Sequence, residues 1–293
     1  MRPPSGADRC APAAQRRGDE LAGTASPVTR WLLVEQPGHW GRDALRDSHI
    51  EPAIGRRLAE AASGAGVRLV MIRRPGRVPA TDARAWAYVD SRPGHEDVRW
   101  GTYRAHTELL AAVDGSAGRP DTAPVYLVCA HSRHDACCAI RGRPVAAALG
   151  RLRPGQVWEC SHIGGDRFAA NVVVLPEGLY YGHVSPQSAA DIVLAYDAGH
   201  VVPSLLRGRS SLPAPVQAAQ HHARLRLDES QIVALAPRRV DRIGEQSWRV
   251  VLAHGDRDAT VLVRGEVAPA QRLTCSSGRP ESVRVFRFAG WDG

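Results

Sequence analysis

Four of the six cysteines in this 293-residue chain, Cys129, Cys137, Cys138 and Cys160, fall in one short central stretch. That crowding constrains the fold more than any other feature, because thiolates gathered in a small volume repel or oxidise unless a cation holds them. Six cysteines in a chain of this length are too few for a disulfide scaffold. The N-terminus, Met1 to about Arg30, is rich in Arg, Pro, Gly, Ala and Ser and lacks the apolar centre of a secretory signal. It reads as a disordered tail (residues 1–30) with no packing role, and a reducing, cytoplasmic setting is expected. There, clustered cysteines are metal ligands or catalytic groups more often than disulfides. Cys10 and Cys275 stand alone and read as inert small hydrophobes.

Bulk properties narrow the function classes. The chain is 44% apolar and 23% charged, ordinary for a globular protein that buries its own core. No apolar run approaches the ~18 residues of a membrane helix. The net charge is +8, and all 38 basic residues are arginine. A basic balance can serve a nucleic acid or an acidic partner. These arginines are scattered, with no block and no nucleic-acid motif, so neither a nucleic-acid nor a membrane role is expected.

Hydrophobic patterning gives an α/β protein. Trp31–Glu35 reads as a buried strand, Pro52–Gly64 as an amphipathic helix and Val67–Ile72 as a second strand, an order that predicts parallel pairing. Ala85–Asp90 and Val98–Tyr103 are further strands, Pro75–Arg84 a polar loop and His106–Val113 a short helix. Asp114–Ala123, rich in Gly, Ser, Asp and Pro, reads as a linker. The second half opens on the strand Pro124–Cys129. A polar loop follows, then a helix starting at Pro144. A strand over Gln156–His162, a hairpin over Asn171–Val184 and a helix over Pro186–Tyr196 complete the pattern. Pro215–Arg226 is helical, and three strands near Trp248, Ala259 and Val283 form a small terminal unit. The expected division is 31–115, an N-terminal α/β part; 124–226, the cysteine-bearing domain; and 227–293, a small β-rich unit.

The chemistry sits in Cys129-Ala-His-Ser-Arg-His-Asp-Ala-Cys-Cys138 and Trp158-Glu-Cys-Ser-His-Ile-Gly-Gly-Asp-Arg-Phe168. Cys160 and His162, two apart in an expected strand, would share one face. Gly164 and Gly165 let the backbone pass close to whatever occupies the site. Thiolates suit iron–sulfur clusters, in which His can replace Cys, and zinc accepts the same donors. His131 and His134 read as supporting or surface groups. A thioredoxin-like thiol–disulfide activity is disfavoured, since there is no C-x-x-C and adjacent cysteines form a strained pair.

These segments, with Gly142-Arg-Pro-Val145, Leu175-Pro-Glu-Gly178, Trp31-Leu-Leu-Val-Glu-Gln-Pro-Gly38 and Leu206-Arg-Gly-Arg209, resemble the bacterial branch of the sucrase/ferredoxin-like proteins over roughly residues 30 to 225. The resemblance implies a thioredoxin-like ferredoxin domain holding a [2Fe–2S] cluster, and so a protein of electron transfer, a carrier more than a catalyst. It implies ligands at Cys129, Cys138 and His162. The position of the family's second histidine is held by Asp166. Cys160, Asp166 and Cys137 are the candidates for the fourth ligand, in that order on donor softness and proximity. A structural zinc ion on the same residues is the alternative cofactor. Electrons would pass on the histidine side, with a potential that falls as pH rises. Arg133, Arg141, Arg143 and Arg167 surround the motifs and would dock an acidic redox partner or lie solvated. No pair of carboxylates is placed recognisably for glycoside hydrolysis.

Overall fold

The computed structural model describes residues 9–76, 82–277 and 279–292. Residues 1–8 of the expected tail and 77–81 of the expected polar loop lie outside them. The elements in order are α1 (Cys10–Arg17), β1 (Arg30–Glu35), α2 (Pro52–Gly64), β2 (Arg68–Arg73), β3 (Arg84–Asp90), β4 (Asp97–Tyr103), a 3₁₀ helix (His106–Ala112) and β5 (Arg119–Pro120). Then come β6 (Val125–Cys129), α3 (Ala136–Leu152), β7 (Val157–Cys160), a 3₁₀ turn (Asp166–Phe168), β8 (Val172–Leu175), β9 (Leu179–Tyr181), α4 (Ala189–Asp197), β10 (Leu206–Arg209) and α5 (Ala214–Leu227). The chain closes with β11 (Pro237–Gly244), β12 (Ser247–His254), β13 (Arg257–Val267) and β14 (Arg284–Trp291).

Ten strands form one mixed sheet in the order β10-β9-β8-β6-β7-β2-β1-β3-β4-β5. β1 and β2 are parallel, as the β–α–β order predicts. The block β7-β6-β8-β9, with β6 parallel to β7 and β8 and β9 antiparallel in turn, is the thioredoxin-like arrangement. β2 and β7 join the two halves through Ile72 opposite Cys160 and Arg73 opposite Glu159. The 31–115 and 124–226 segments therefore share a single sheet, and the expected linker carries β5, paired to β4. Alternation along β6 sends Leu127 and Cys129 to a core shared with Trp31, Val70 and Trp158, and Tyr126 and Val128 to a core under α3 and α4. The terminal four strands form a separate antiparallel sheet packed on α5 through Val216, Ala219, Val250 and Val261.

Three expectations are corrected. Within the supposed disordered tail, residues 9–30 are structured: α1 buries Cys10, Ala11 and Ala14, and Ala22, Ala25 and Val28 follow into the interior. Alanine-rich composition hid a segment that packs by close approach rather than by bulk. The helix read as starting at Pro144 starts at Ala136, because the Asp135 carboxylate caps it by accepting from the Cys137 N–H at 2.7 Å. Pro144 is exposed in the helix interior, and the buried Val145, Ala146 and Leu149 around it keep the helix intact. The strand read to His162 stops at Cys160, so two-residue alternation does not extend to His162. β10 and β11, short or exposed, were not expected from pattern at all.

Candidate metal centre

The site forms where β6 ends, α3 begins and the 160s loop turns. Cys129 is the last residue of β6 and is buried. Capping by Asp135 places Cys138 in the first turn of α3, pointing back to the strand end. The two backbones meet so tightly that a Cβ on Gly142 would stand 2.1 Å from the Cys129 carbonyl oxygen. The Cys138 Sγ lies 3.2 Å from Asp166 Oδ1, and the His162 Nδ1 lies 2.9 Å from the same oxygen. Cys138 and His162 both flank the Cys129 sulfur. His134 stacks on His162 with ring centres 3.8 Å apart, and its Nε2 is 3.4 Å from the other oxygen of Asp166.

The 160s loop is held in place from behind. Gly164 and Gly165 take φ of +96° and +81°, and a Cβ on either would strike Ser26 or Arg207. The buried Arg207 guanidinium donates to the Gly164 carbonyl at 3.0 Å, the Asn171 Oδ1 at 2.8 Å and the Thr24 carbonyl at 2.5 Å. Asn171 in turn donates to the Gly165 carbonyl. The Leu206–Arg209 motif thus serves the site from a distance, as a clamp that also binds the N-terminal segment. His131 uses both ring nitrogens: Nε2 meets the Gly41 carbonyl at 2.9 Å, and Nδ1 accepts from the His162 N–H at 3.3 Å. It orients His162, in keeping with the supporting role read from its position.

Electrostatics mark the cluster as a place for charge. Hydrogen bonding from Cys138, helped by His162, pulls Cys129 down to about 5 against the opposing effect of burial. Cys138 moves up, because it gives the shared proton to Cys129 and is buried. Burial alone would lower His162, but Asp166 and the Cys129 sulfur prevail and lift it to about 9. Burial would raise Asp166, yet His134 and His162 hold it well below the usual carboxylate range. The His162 Nδ1 is buried and, although close to Asp166, has no aligned hydrogen bond. A metal ion bound there would displace the proton that this nitrogen otherwise shares with Asp166.

Of the fourth-ligand candidates, Asp166 touches both Cys138 and His162. Cys160 does not join them. It sits in the sheet opposite Cys129, wholly buried in the apolar core, with no hydrogen bond to His162 or Asp166 among the described residues. Softness favoured it, but β7 ends at Cys160, so the alternation expected to put His162 on the same face does not hold. Cys137 faces away as well, with its sulfur 3.5 Å from that of Cys275. Sequence reasoning undervalued His134, whose only signal was its place in the ligand loop. Of the flanking arginines, Arg133 and Arg143 are exposed and Arg141 half-buried, while Arg167 is buried against Asp19 rather than free to dock a partner. His134 and His162 open onto a groove of about 670 Å³ bordered by Arg42, Asp43, Arg46 and Asp47.

The fold and the site define a thioredoxin-like α/β protein with a buried thiol–imidazole–carboxylate cluster. The chain belongs to the sucrase/ferredoxin-like family, whose profile matches residues 21–208. Among solved structures it is similar to the thioredoxin-like [2Fe–2S] ferredoxin of Aquifex aeolicus, at 22% identity and a TM-score of 0.28, over 31% of this chain and 94% of that one. A cysteine-to-serine variant of the same ferredoxin gives 22% identity and a TM-score of 0.26, over 29% and 97%. No curated protein matches the chain. No helix among the described residues is long and apolar enough to cross a membrane.

Proposed function

We propose that the protein is an electron carrier whose [2Fe–2S] cluster is held by Cys129, Cys138, His162 and Asp166. One observation carries the reading: two thiols, an imidazole and a carboxylate converge from three separate segments. That donor set suits iron, whose clusters take thiolate and accept His in place of Cys. When bound, the cluster takes up and releases one electron at a time.

The chain's own residues supply the rest. Burial of Cys129 and Cys138 keeps water from the thiolate side. His162, about 30% exposed at its side chain, marks the edge nearest solvent and faces the groove by which a partner approaches. His131 and the Arg207 clamp fix the loop, so its donors need little rearrangement between oxidation states. The partner is a redox protein, and the exposed Arg133 and Arg143 favour an acidic docking face.

Anaerobic purification with iron and sulfide analysis tests this reading, together with electron paramagnetic resonance of the dithionite-reduced protein. The expected result is a red-brown protein with a rhombic signal, lost in Cys129→Ala. In Asp166→Ala the signal is lost or altered, whereas in Cys160→Ser it persists. A colourless, iron-free protein after reconstitution under reducing conditions refutes it.

A further inference from the structure

Outside this centre, a second set of donors gathers from three segments far apart in the chain. Cys10 opens α1, Asp135 and Cys137 open α3, and Cys275 lies in the loop between β13 and β14. Their ligand atoms all lie within 4.8 Å of one another. Cys10 Sγ is 3.4 Å from Cys275 Sγ, and Cys137 Sγ is 3.5 Å from it. The Cys10 sulfur is 3.5 Å from Asp135 Oδ2. Cys10, Asp135 and Cys137 are buried, and Cys275 is partly so.

From this geometry we propose a second metal site, in which Cys10, Cys137, Cys275 and Asp135 bind one zinc-type divalent ion that staples the two ends of the chain to the start of α3.

Spacing argues for a single ion. Zinc–sulfur bonds of about 2.3 Å in a tetrahedron put neighbouring sulfurs about 3.8 Å apart, close to the separations seen here. Irons bridged in a cluster would spread the thiolates further. The sulfurs also act as acceptors: the Cys10 N–H donates to the Cys275 sulfur at 3.4 Å, and the Ala11 N–H faces the Cys137 sulfur. Backbone N–H groups aimed at sulfur suit thiolates better than thiols. Asp135 is fixed for its part, since its oxygens accept from the Cys137 and Cys275 N–H groups and keep lone pairs to spare. Arg167, buried and paired with Asp19, lies on the Cys10 side of the cluster.

The adjacent cysteines now have separate roles. Neighbouring positions on a helix diverge by about 100°. Cys138 therefore turns to Asp166 and Cys137 to Cys10 and Cys275, one cysteine for each centre. The second site does not depend on iron at the first.

The test is elemental analysis of the full-length protein purified without added metal, counting zinc independently of iron. One zinc per chain is expected, falling to near zero in Cys275→Ser and Cys10→Ser while iron content stays as in the wild type. Cobalt(II) substituted into the wild-type protein should give the intense visible bands and sulfur-to-metal charge transfer of a tetrahedral thiolate site, a readout that needs no variant to fold. Two results overturn the proposal: a wild-type protein without zinc whose Cys10, Cys137 and Cys275 are alkylated freely in the native state, or a disulfide between two of these three detected by non-reducing mass spectrometry.

Discussion

Replacing Gly142 by alanine probes the seam on which the first centre is built. The new methyl would lie 2.1 Å from the Cys129 oxygen and 3.1 Å from its carbonyl carbon. Both atoms are backbone, so no side chain can swing aside. Restoring contact distance needs a separation of α3 from β6 of about 1 Å. Overpacking on this scale costs roughly 2–3 kcal/mol, and alanine returns about 1 kcal/mol through its better helix propensity. Gly142→Ala should therefore lose about 1–2 kcal/mol. Gly150, in the same helix, has nothing within 4 Å of an added Cβ. There the propensity term stands alone, and Gly150→Ala should gain about 0.5–1 kcal/mol. Urea denaturation followed by circular dichroism, on samples of matched metal content, measures both. A Gly142→Ala protein as stable as the wild type, or more so, would show that α3 does not ride this close to Cys129.

Arg207 has no carboxylate partner among the described residues, and burial draws it down to about 10. Arg207→Met strands the Gly164, Asn171 and Thr24 acceptors and should cost about 3 kcal/mol, with Arg207→Lys recovering less than half; thermal melts of the two variants check this. His183 and His221 are both held down to about 4, chiefly by burial, with Arg141 acting on the first and His222 on the second. The unfolded chain takes up these protons near pH 6.5 while the fold resists until about 4. Their stabilisation is thus complete above 6.5, is lost as pH falls through that window and levels off below it. Both rings are only partly buried, so the loss is about 1 kcal/mol each. Stability measured from pH 7 to 4 should fall less steeply in a His183→Asn, His221→Gln double variant, and an unchanged slope would contradict the assignment. Amide exchange should find the α1 N–H groups of Ala13 and Ala14 protected; exchange at random-coil rates would return residues 9–17 to a disordered tail.

Much of the frame was legible in the chain because the relevant signals are local. Strands such as Trp31–Glu35 and Pro124–Cys129 are short apolar runs with clear breaks, and Pro52–Gly64 carries its helical stripe in plain view. Crowding of Cys129, Cys138 and His162 marked a candidate centre, since that chemistry depends on residue type and near spacing. The start of α3 is not legible locally: Pro144 carries a helix-start signal by residue type, whereas the capping role of Asp135 depends on where its carboxylate points. The four-stranded terminal sheet showed only in part, since β11 is mostly exposed and alternates weakly.

The sequence by itself determined the family motifs, the α/β class and three candidate donors, Cys129, Cys138 and His162, all of which follow from patterns within a few tens of residues. Only the tertiary structure decided that Asp166 rather than Cys160 stands beside His162, since that turns on β7 ending at Cys160 and on the loop clamped by Arg207. It alone brought Cys10 and Cys275, the two cysteines that looked solitary, within 3.4 Å of each other. Nothing local encodes such a contact, because long-range proximity is fixed by how whole elements bury their apolar faces, and the chain between the two cysteines is almost the entire protein.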